Sequence, residues 1–159
     1  MTDTLCTSAR KVQEVLSRQG FPFRVRELPA STRTAREAAI AVGCRVEQIA
    51  KSLIFRGTRT DAPILVIASG INRVNESKLA DLVGEPVAKP DAEFVRAHTG
   101  FSIGGVPPVG HTNPIKTWLD EDLLQWDVIW AAAGTPNAVF ELRPDDLQKL
   151  TNGKIAEIK

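Results

Sequence analysis

Lys51 is the residue whose position asks most for a chemical explanation. In Ile49-Ala50-Lys51-Ser52-Leu53-Ile54-Phe55, a strand period of two puts it on the face that carries Leu53 and Phe55. An ammonium there either snorkels to solvent at a sheet edge or points into a pocket. In a pocket it is a cation poised for a carbonyl, a phosphate or a developing oxyanion. A second unusual element lies downstream. Residues 100–114, GFSIGGVPPVGHTNP, hold four of the 11 glycines and three of the 10 prolines, a density that neither a helix nor a central strand tolerates. Gly104 and Gly105 allow a ligand close to the main chain, and Pro107 and Pro108 stiffen the loop. The N–H groups of Gly104, Gly105 and Val106 could then form a preorganised nest of donors, the alternative being a plain structural turn. His111, at the end of the loop, either orients a ligand or bonds a carbonyl.

Other chemistries fail on spacing. Gly100-Phe101-Ser102-Ile103-Gly104 matches the G-x-S-x-G elbow of serine hydrolases, which needs a strand before it and a helix after it. Here Asp91 to His98 reads as helix, and Gly105-Val106-Pro107-Pro108 cannot begin one. The only later histidine is His111, with no Asp or Glu in between, so Ser102 is not expected to be a nucleophile. His98, His111, Cys6 and Cys44 are scattered, without H-E-x-x-H or paired-cysteine spacing, and no metal is expected. Neither G-x-G-x-x-G nor G-x-x-x-x-G-K-[ST] occurs, and no cofactor is expected. Asp120-Glu121-Asp122 and Asp145-Asp146 sit at helix starts, where capping accounts for them better than a catalytic carboxylate pair does.

The elements that must carry these residues can be read from periodicity and caps. Val12, Val15 and Leu16 recur at helical spacing between Ser8 and Gln19, with Gly20 as the stop. Phe23, Val25 and Leu28 suggest a half-buried strand. Thr34 with Glu37 fits a capping box for a helix over Ala35 to Val42, closed by Gly43, and a short helix follows at Val46 to Ala50. Strands are expected at Ser52 to Arg56 and Ile64 to Ser69. A helix capped by Asn75, a short strand at Val87 to Lys89 and the Asp91 to His98 helix come next. Beyond the loop, Ile115 to Leu119, Val128 to Ala133 and Val139 to Leu142 read as strands. A short helix capped by Asp120 and a last helix opened by Pro144 interrupt them, and Lys154 to Ile158 ends the chain. The expected fold is a single compact α+β (mixed α/β) domain, with a mixed, partly barrel-like sheet of six or seven short strands surrounded by helices.

Composition bounds the setting. With 159 residues and 43% hydrophobic side chains, folding hides about 70% of the unfolded surface, enough for one core. The longest apolar runs fall far short of the roughly 18 residues of a spanning helix, and two cysteines without C-x-x-C spacing read as reduced thiols, so a cytoplasmic protein is expected. The net charge of +1 hides a gradient. Residues 1–60 carry 11 basic and 5 acidic side chains, and the remainder 9 and 14. The gradient leaves open a basic face, on which Arg10, Lys11, Arg33 and Arg36 would meet a polyanion locally rather than over a broad surface, the alternative being ordinary solvated charges.

Three blocks carry a resemblance: Gln48-Ile49-Ala50-Lys51-Ser52-Leu53-Ile54-Phe55, then Gly104-Gly105-Val106-Pro107-Pro108-Val109-Gly110-His111, then Ala133-Gly134-Thr135-Pro136-Asn137 followed by Val139-Phe140-Glu141-Leu142 and Asp146-Leu147. In this order and spacing the chain resembles the YbaK/prolyl-tRNA-synthetase-associated domain family from about Ala9 to Ile158. The resemblance implies a free-standing editing domain over 1–159. It would hydrolyse the ester between a small wrong amino acid and the 3′ terminal adenosine of a tRNA, typically tRNA(Pro). It implies Lys51 as the functional residue, and Gly104, Gly105, Val106, Pro107 and Pro108 as the lining that holds the scissile carbonyl. His111 and Gly134 are implied to contribute to substrate binding. Attack would come from water or the ribose 2′-hydroxyl, with no protein nucleophile. The implied partners are the tRNA acceptor end and prolyl-tRNA synthetase; neither DNA nor a membrane is implied. Relatives that clear Cys-tRNA(Pro) carry Gly-Leu-Asp where this chain has Asn137-Ala138-Val139, which removes a carboxylate and points away from cysteine. The alternative function is a non-catalytic module that binds aminoacyl-tRNA or a free amino acid, which would show saturable binding without turnover.

Overall fold

In the computed structural model, which describes residues 5–159, helix α1 (Thr7–Arg18) turns Ala9, Val12, Gln13 and Leu16 inward, the i, i+3, i+4, i+7 pattern of an amphipathic helix. Residues 1–4 of the expected domain lie outside the described residues. Gln13 explains a first difference from the sequence reading. Its amide oxygen accepts from the Val25 N–H at 2.8 Å, and its amide nitrogen donates to the Phe23 carbonyl at 2.9 Å. A helix side chain thus satisfies backbone groups that a neighbouring strand would otherwise pair. The strand expected at Phe23 to Leu28 shrinks to β1 (Arg26–Glu27).

Helix α2 (Ala35–Val42) begins as expected. The Glu37 N–H donates to Thr34 Oγ1 at 3.1 Å, and the Thr34 N–H donates back to the Glu37 carboxylate at 3.3 Å. Thr34→Ala removes this reciprocal cap and is expected to cost about 1 kcal/mol, read as a lower urea midpoint at constant m. A 3-10 turn at Val46–Gln48 replaces the short helix expected at Val46 to Ala50. Strand β2 (Ile49–Gly57) starts earlier than expected because Ile49 and Ala50 pair in parallel with Trp130 and Ala131 of β6 (Ile129–Ala132).

The remaining elements are β3 (Pro63–Ser69), α3 (Glu76–Val83), β4 (Val87–Ala88), α4 (Ala92–Thr99), β5 (Lys116–Asp120), a 3-10 turn at Glu121–Gln125, β7 (Ala138–Leu142), α5 (Pro144–Thr151) and β8 (Lys154–Ala156). Asn75 and Asp91 cap α3 and α4 through side-chain bonds to Lys78 N–H and Phe94 N–H. The strands form one mixed sheet in the order β1-β7-β6-β2-β3-β5-β8, with β4 attached to β2. Eight strands exceed the six or seven expected, because Lys154–Ala156, read only as the end of the chain, pairs in parallel with Trp118–Asp120 of β5 as β8. β1 and β8 stand at opposite ends of the strand order, so the sheet is not closed into a barrel, and the partly barrel-like expectation is corrected to an open sheet.

Both faces of the sheet are covered. Ala50, Ile54, Leu65 and Ile67 join Val12, Leu16 and Phe140 in the larger core, whereas Phe55, Ile64, Val66 and Ala68 meet Leu79 and Trp118 in a second one. Leu53 packs against the second core. The edges of β2 differ. β3 pairs with it continuously from Ala50 to Arg56. On the other edge β6 pairs only with Ile49 and Ala50, and β4 only with Arg56 and Gly57. Among the described residues, Lys51–Phe55 therefore have no strand partner on that edge. No helix among the described residues is long and apolar enough to cross a membrane.

Candidate active site

The bare edge of β2 opens onto a cavity of about 560 Å³, and Lys51, Ser52, Leu53, Ile54 and Phe55 all line it. Thr32 to Ala35, around the start of α2, form a second wall. The turn after β3 contributes Asn72, Arg73 and Val74, and the Gly/Pro loop contributes Ile103, Gly104 and Val106. The charged lining is one-sided, with Arg33, Lys51, Arg73 and Lys89 against Glu76 alone. An apolar pocket with convergent cations suits a ligand that has a small apolar part and an anionic or carbonyl-bearing part.

Lys51 is half-buried, and its Nζ donates to the Gly70 carbonyl at 3.1 Å. Of the two alternatives for this ammonium, the structure has it among the cavity walls. Burial is the main cause that lowers its pKa below the ordinary lysine value; the Arg73 charge adds to the lowering, and the Asp120 carboxylate opposes it.

The Gly/Pro loop divides into lining and support. Gly104 (φ +94°) and Val106 line the cavity, and their N–H groups meet no acceptor among the described residues. Gly105, Pro107, Pro108, His111 and Gly134 do not line it. The Gly105 N–H is already used, donating to the Ser102 carbonyl at 3.1 Å, while its own carbonyl accepts from the Gly134 N–H at 2.9 Å. A Cβ on Gly105 would stand 2.8 to 2.9 Å from the N, Cα and C atoms of Thr135, so glycine lets the loop lie directly on the β6–β7 connection. His111 takes the second of its two expected roles: its Nε2 bonds the Pro107 carbonyl at 2.7 Å and staples the loop. Burial lowers the His111 pKa, which keeps the ring neutral near pH 7; the Pro107 bond opposes this, and Lys11 adds to the lowering.

Ser102 is exposed and accepts a hydrogen bond from the Arg96 guanidinium. With His111 bound to Pro107 and His98 packed on Phe94, neither histidine serves Ser102 as a base. Among the described residues no cluster of three metal-ligating side chains occurs.

Several lining residues left no signal in the sequence. Arg73 and Lys89 lie singly in the acidic part of the chain. Arg10 and Lys11, from the basic part, lie elsewhere: Arg10 donates to the Leu5 carbonyl, and Lys11 sits over the Phe101 ring. Thr32 Oγ1 and Ser52 Oγ are buried without a hydrogen-bond partner among the described residues, and both residues line the cavity. Thr32 is only 5% exposed, so its hydroxyl is satisfied only by a hydrogen-bonding group that enters the cavity, water or ligand.

Comparison with known proteins identifies the family. The family model described as "Aminoacyl-tRNA editing domain" matches residues 29–150, which include every cavity-lining residue named above. A crystal structure described as a candidate trans-editing enzyme for prolyl tRNA synthetase superposes with a TM-score of 0.93 at 50% identity, covering 98% of this chain and 99% of that one. YwhH of Bacillus subtilis (strain 168), itself uncharacterized, is 32% identical over 82% of this chain and 83% of its own length. EbsC of Enterococcus faecalis (strain ATCC 700802 / V583), provisionally named a Cys-tRNA(Pro)/Cys-tRNA(Cys) deacylase, is 31% identical over 79% of this chain and 76% of its own. Because the match spans all but the two ends of the chain and the likeness extends to the whole fold, the chain belongs to the aminoacyl-tRNA editing domain family.

Proposed function

We propose that the chain, as one domain over 1–159, is a trans-acting aminoacyl-tRNA deacylase of the cytoplasm. Its substrate would be a tRNA, tRNA(Pro) first among candidates, that carries a small non-cognate amino acid. The observation that carries this reading is that half-buried Lys51 lines the same cavity as Gly104 and Val106, whose N–H groups are unpaired among the described residues. An aminoacyl ester is already labile, so positioning and charge stabilisation suffice without a protein nucleophile. Water or the ribose 2′-hydroxyl adds to the ester carbonyl carbon, and the carbonyl oxygen becomes an oxyanion. Lys51 and the Gly104 and Val106 N–H groups stabilise that charge. The bond to the ribose 3′ oxygen then breaks, and that oxygen takes up a proton. When the 2′-hydroxyl attacks, the amino acid moves to the 2′ oxygen and water completes the hydrolysis. Gly105, Pro107, Pro108, His111 and Gly134 hold the loop in place behind the lining residues.

The test is a panel of mischarged tRNAs incubated with the whole chain, each scored for release of free amino acid. Hydrolysis of at least one tRNA bearing a small non-cognate residue is expected, with cognate Pro-tRNA(Pro) spared. Binding without turnover across the panel would return the chain to the non-catalytic alternative.

The cationic lining refines the expected RNA footprint. Arg33, Arg73 and Lys89 stand at the cavity and are proposed to meet the phosphates of the tRNA end. Changing all three to alanine is expected to weaken tRNA binding and to reduce the slope of log affinity against log salt by about 0.7 per lost phosphate contact. The same experiment with Arg10 and Lys11 is expected to leave the slope close to wild type.

A further inference from the structure

Asp120 is the only charged side chain among the described residues to be almost fully buried, at 1% exposure. The capping role read from the sequence uses one oxygen: Oδ1 accepts from the Asp122 N–H at 2.9 Å. The other oxygen faces a different element. Oδ2 accepts from the Ser69 N–H at 2.9 Å and from the Asn72 side-chain amide at 2.8 Å. Capping needs neither bond. They tie the end of β5 to the turn that leaves β3, residues 69–73.

That turn is fixed from its other side as well. Ser69 Oγ donates to the Glu47 carbonyl at 2.7 Å, and the Asn72 N–H donates to the Ser69 carbonyl at 2.9 Å. Gly70 is pressed so closely on the 3-10 turn before β2 that a Cβ would stand 2.3 Å from the Val46 carbonyl oxygen. A buried carboxylate is tolerated only when its oxygens are hydrogen-bonded, and here three donors satisfy it. The clamped turn carries the Gly70 carbonyl, the acceptor of Lys51 Nζ.

We infer that Asp120 is a positioning residue for Lys51: its buried carboxylate fixes the 69–73 turn so that the Gly70 carbonyl holds the Lys51 ammonium at the cavity wall. The inference rests on the proposed role of Lys51. Asp120 does not itself line the cavity and touches no substrate. Electrostatics act in the same direction, because the Asp120 charge favours the protonated lysine against burial and Arg73. The other charged groups that line the cavity are Arg33, Lys89 and Glu76.

The test follows the Lys51 side chain by ¹³C NMR through a pH titration of the whole chain, with the resonance assigned by its loss in Lys51→Arg. Deacylation is measured in parallel. In Asp120→Asn, Lys51 is expected to titrate at clearly lower pH than in wild type, and deacylation to fall by up to about a hundredfold. Asn72→Ala keeps the carboxylate but removes the amide bonds from Asn72 to Asp120 and Asp122, and is expected to move Lys51 in the same direction by less. An unchanged Lys51 titration in folded Asp120→Asn overturns the inference. If thermal melts show that Asp120→Asn does not fold, an unchanged titration in Asn72→Ala overturns it instead. Should Lys51 shift as expected while wild type hydrolyses no mischarged tRNA, the positioning role stands and the deacylase reading falls.

Discussion

Lys51→Ala is expected to lower the deacylation rate by about 10²–10³-fold while leaving the fold and the affinity for tRNA nearly unchanged. The ammonium is half-buried and stands on an apolar strand face, where a charge acts through less water than at the surface. Its strongest interaction comes when the ester carbonyl acquires negative charge, so the loss should appear in kcat more than in KM. The pH profile gives a separate check. The cationic form is the active one, so rate is retained below the folded pKa of Lys51 and declines as pH rises through it. Burial and Arg73 lower that pKa, which places the decline at lower pH than an ordinary lysine would give, once spontaneous ester hydrolysis has been subtracted. Lys51→Arg keeps a charge that does not titrate. Its residual activity, reduced because a planar guanidinium does not reproduce a compact ammonium, should lack the alkaline decline. Full activity in folded Lys51→Ala would remove the lysine from the mechanism.

Gly105→Ala is the second large effect. The added methyl would collide with three backbone atoms of Thr135, and backbone cannot turn aside as a side-chain tip can. Either the Gly/Pro loop lifts or the β6–β7 connection gives way. The expected cost is about 1–3 kcal/mol in urea unfolding, the usual range for overpacking. Activity should fall further than stability alone explains, because the displaced loop carries Gly104 and Val106 away from the cavity. A variant with unaltered stability and rate would show that the close approach is unimportant.

These two glycines show where reading the sequence stops. Gly104 and Gly105 are adjacent, of one type and in one loop, and nothing local separates the residue that lines the cavity from the one that packs behind it. Only contact with Thr135, thirty positions on, does so. The features that were legible are short-range. Thr34 with Glu37, Asn75 and Asp91 satisfy helix N-termini through bonds three residues long. The face occupied by Lys51 also follows from the period of a strand, since Leu53 and Phe55 both belong to the second core. What escaped was fixed at long range. The Gln13 amide displaces a strand, and Trp130 draws β2 back to Ile49. Arg73 and Lys89 gain their setting only when the turn after β3 and the segment after β4 meet around the same cavity. Asp120 looked complete as a cap because its second oxygen bonds residues about fifty positions away.

The incomplete pairing of β2 also bears on how this protein behaves among other chains. An unpaired strand edge is a template for intermolecular sheet growth. Here the bare stretch is five residues, about 16 Å long, and β6 and β4 stop it at both ends. An incoming strand could not extend past either stop, and it would have to bring its backbone up to the Lys51 ammonium and to Arg33, Arg73 and Lys89. A short ligand meets no such obstacle. A gap this short and this cationic is a poor seed for aggregation.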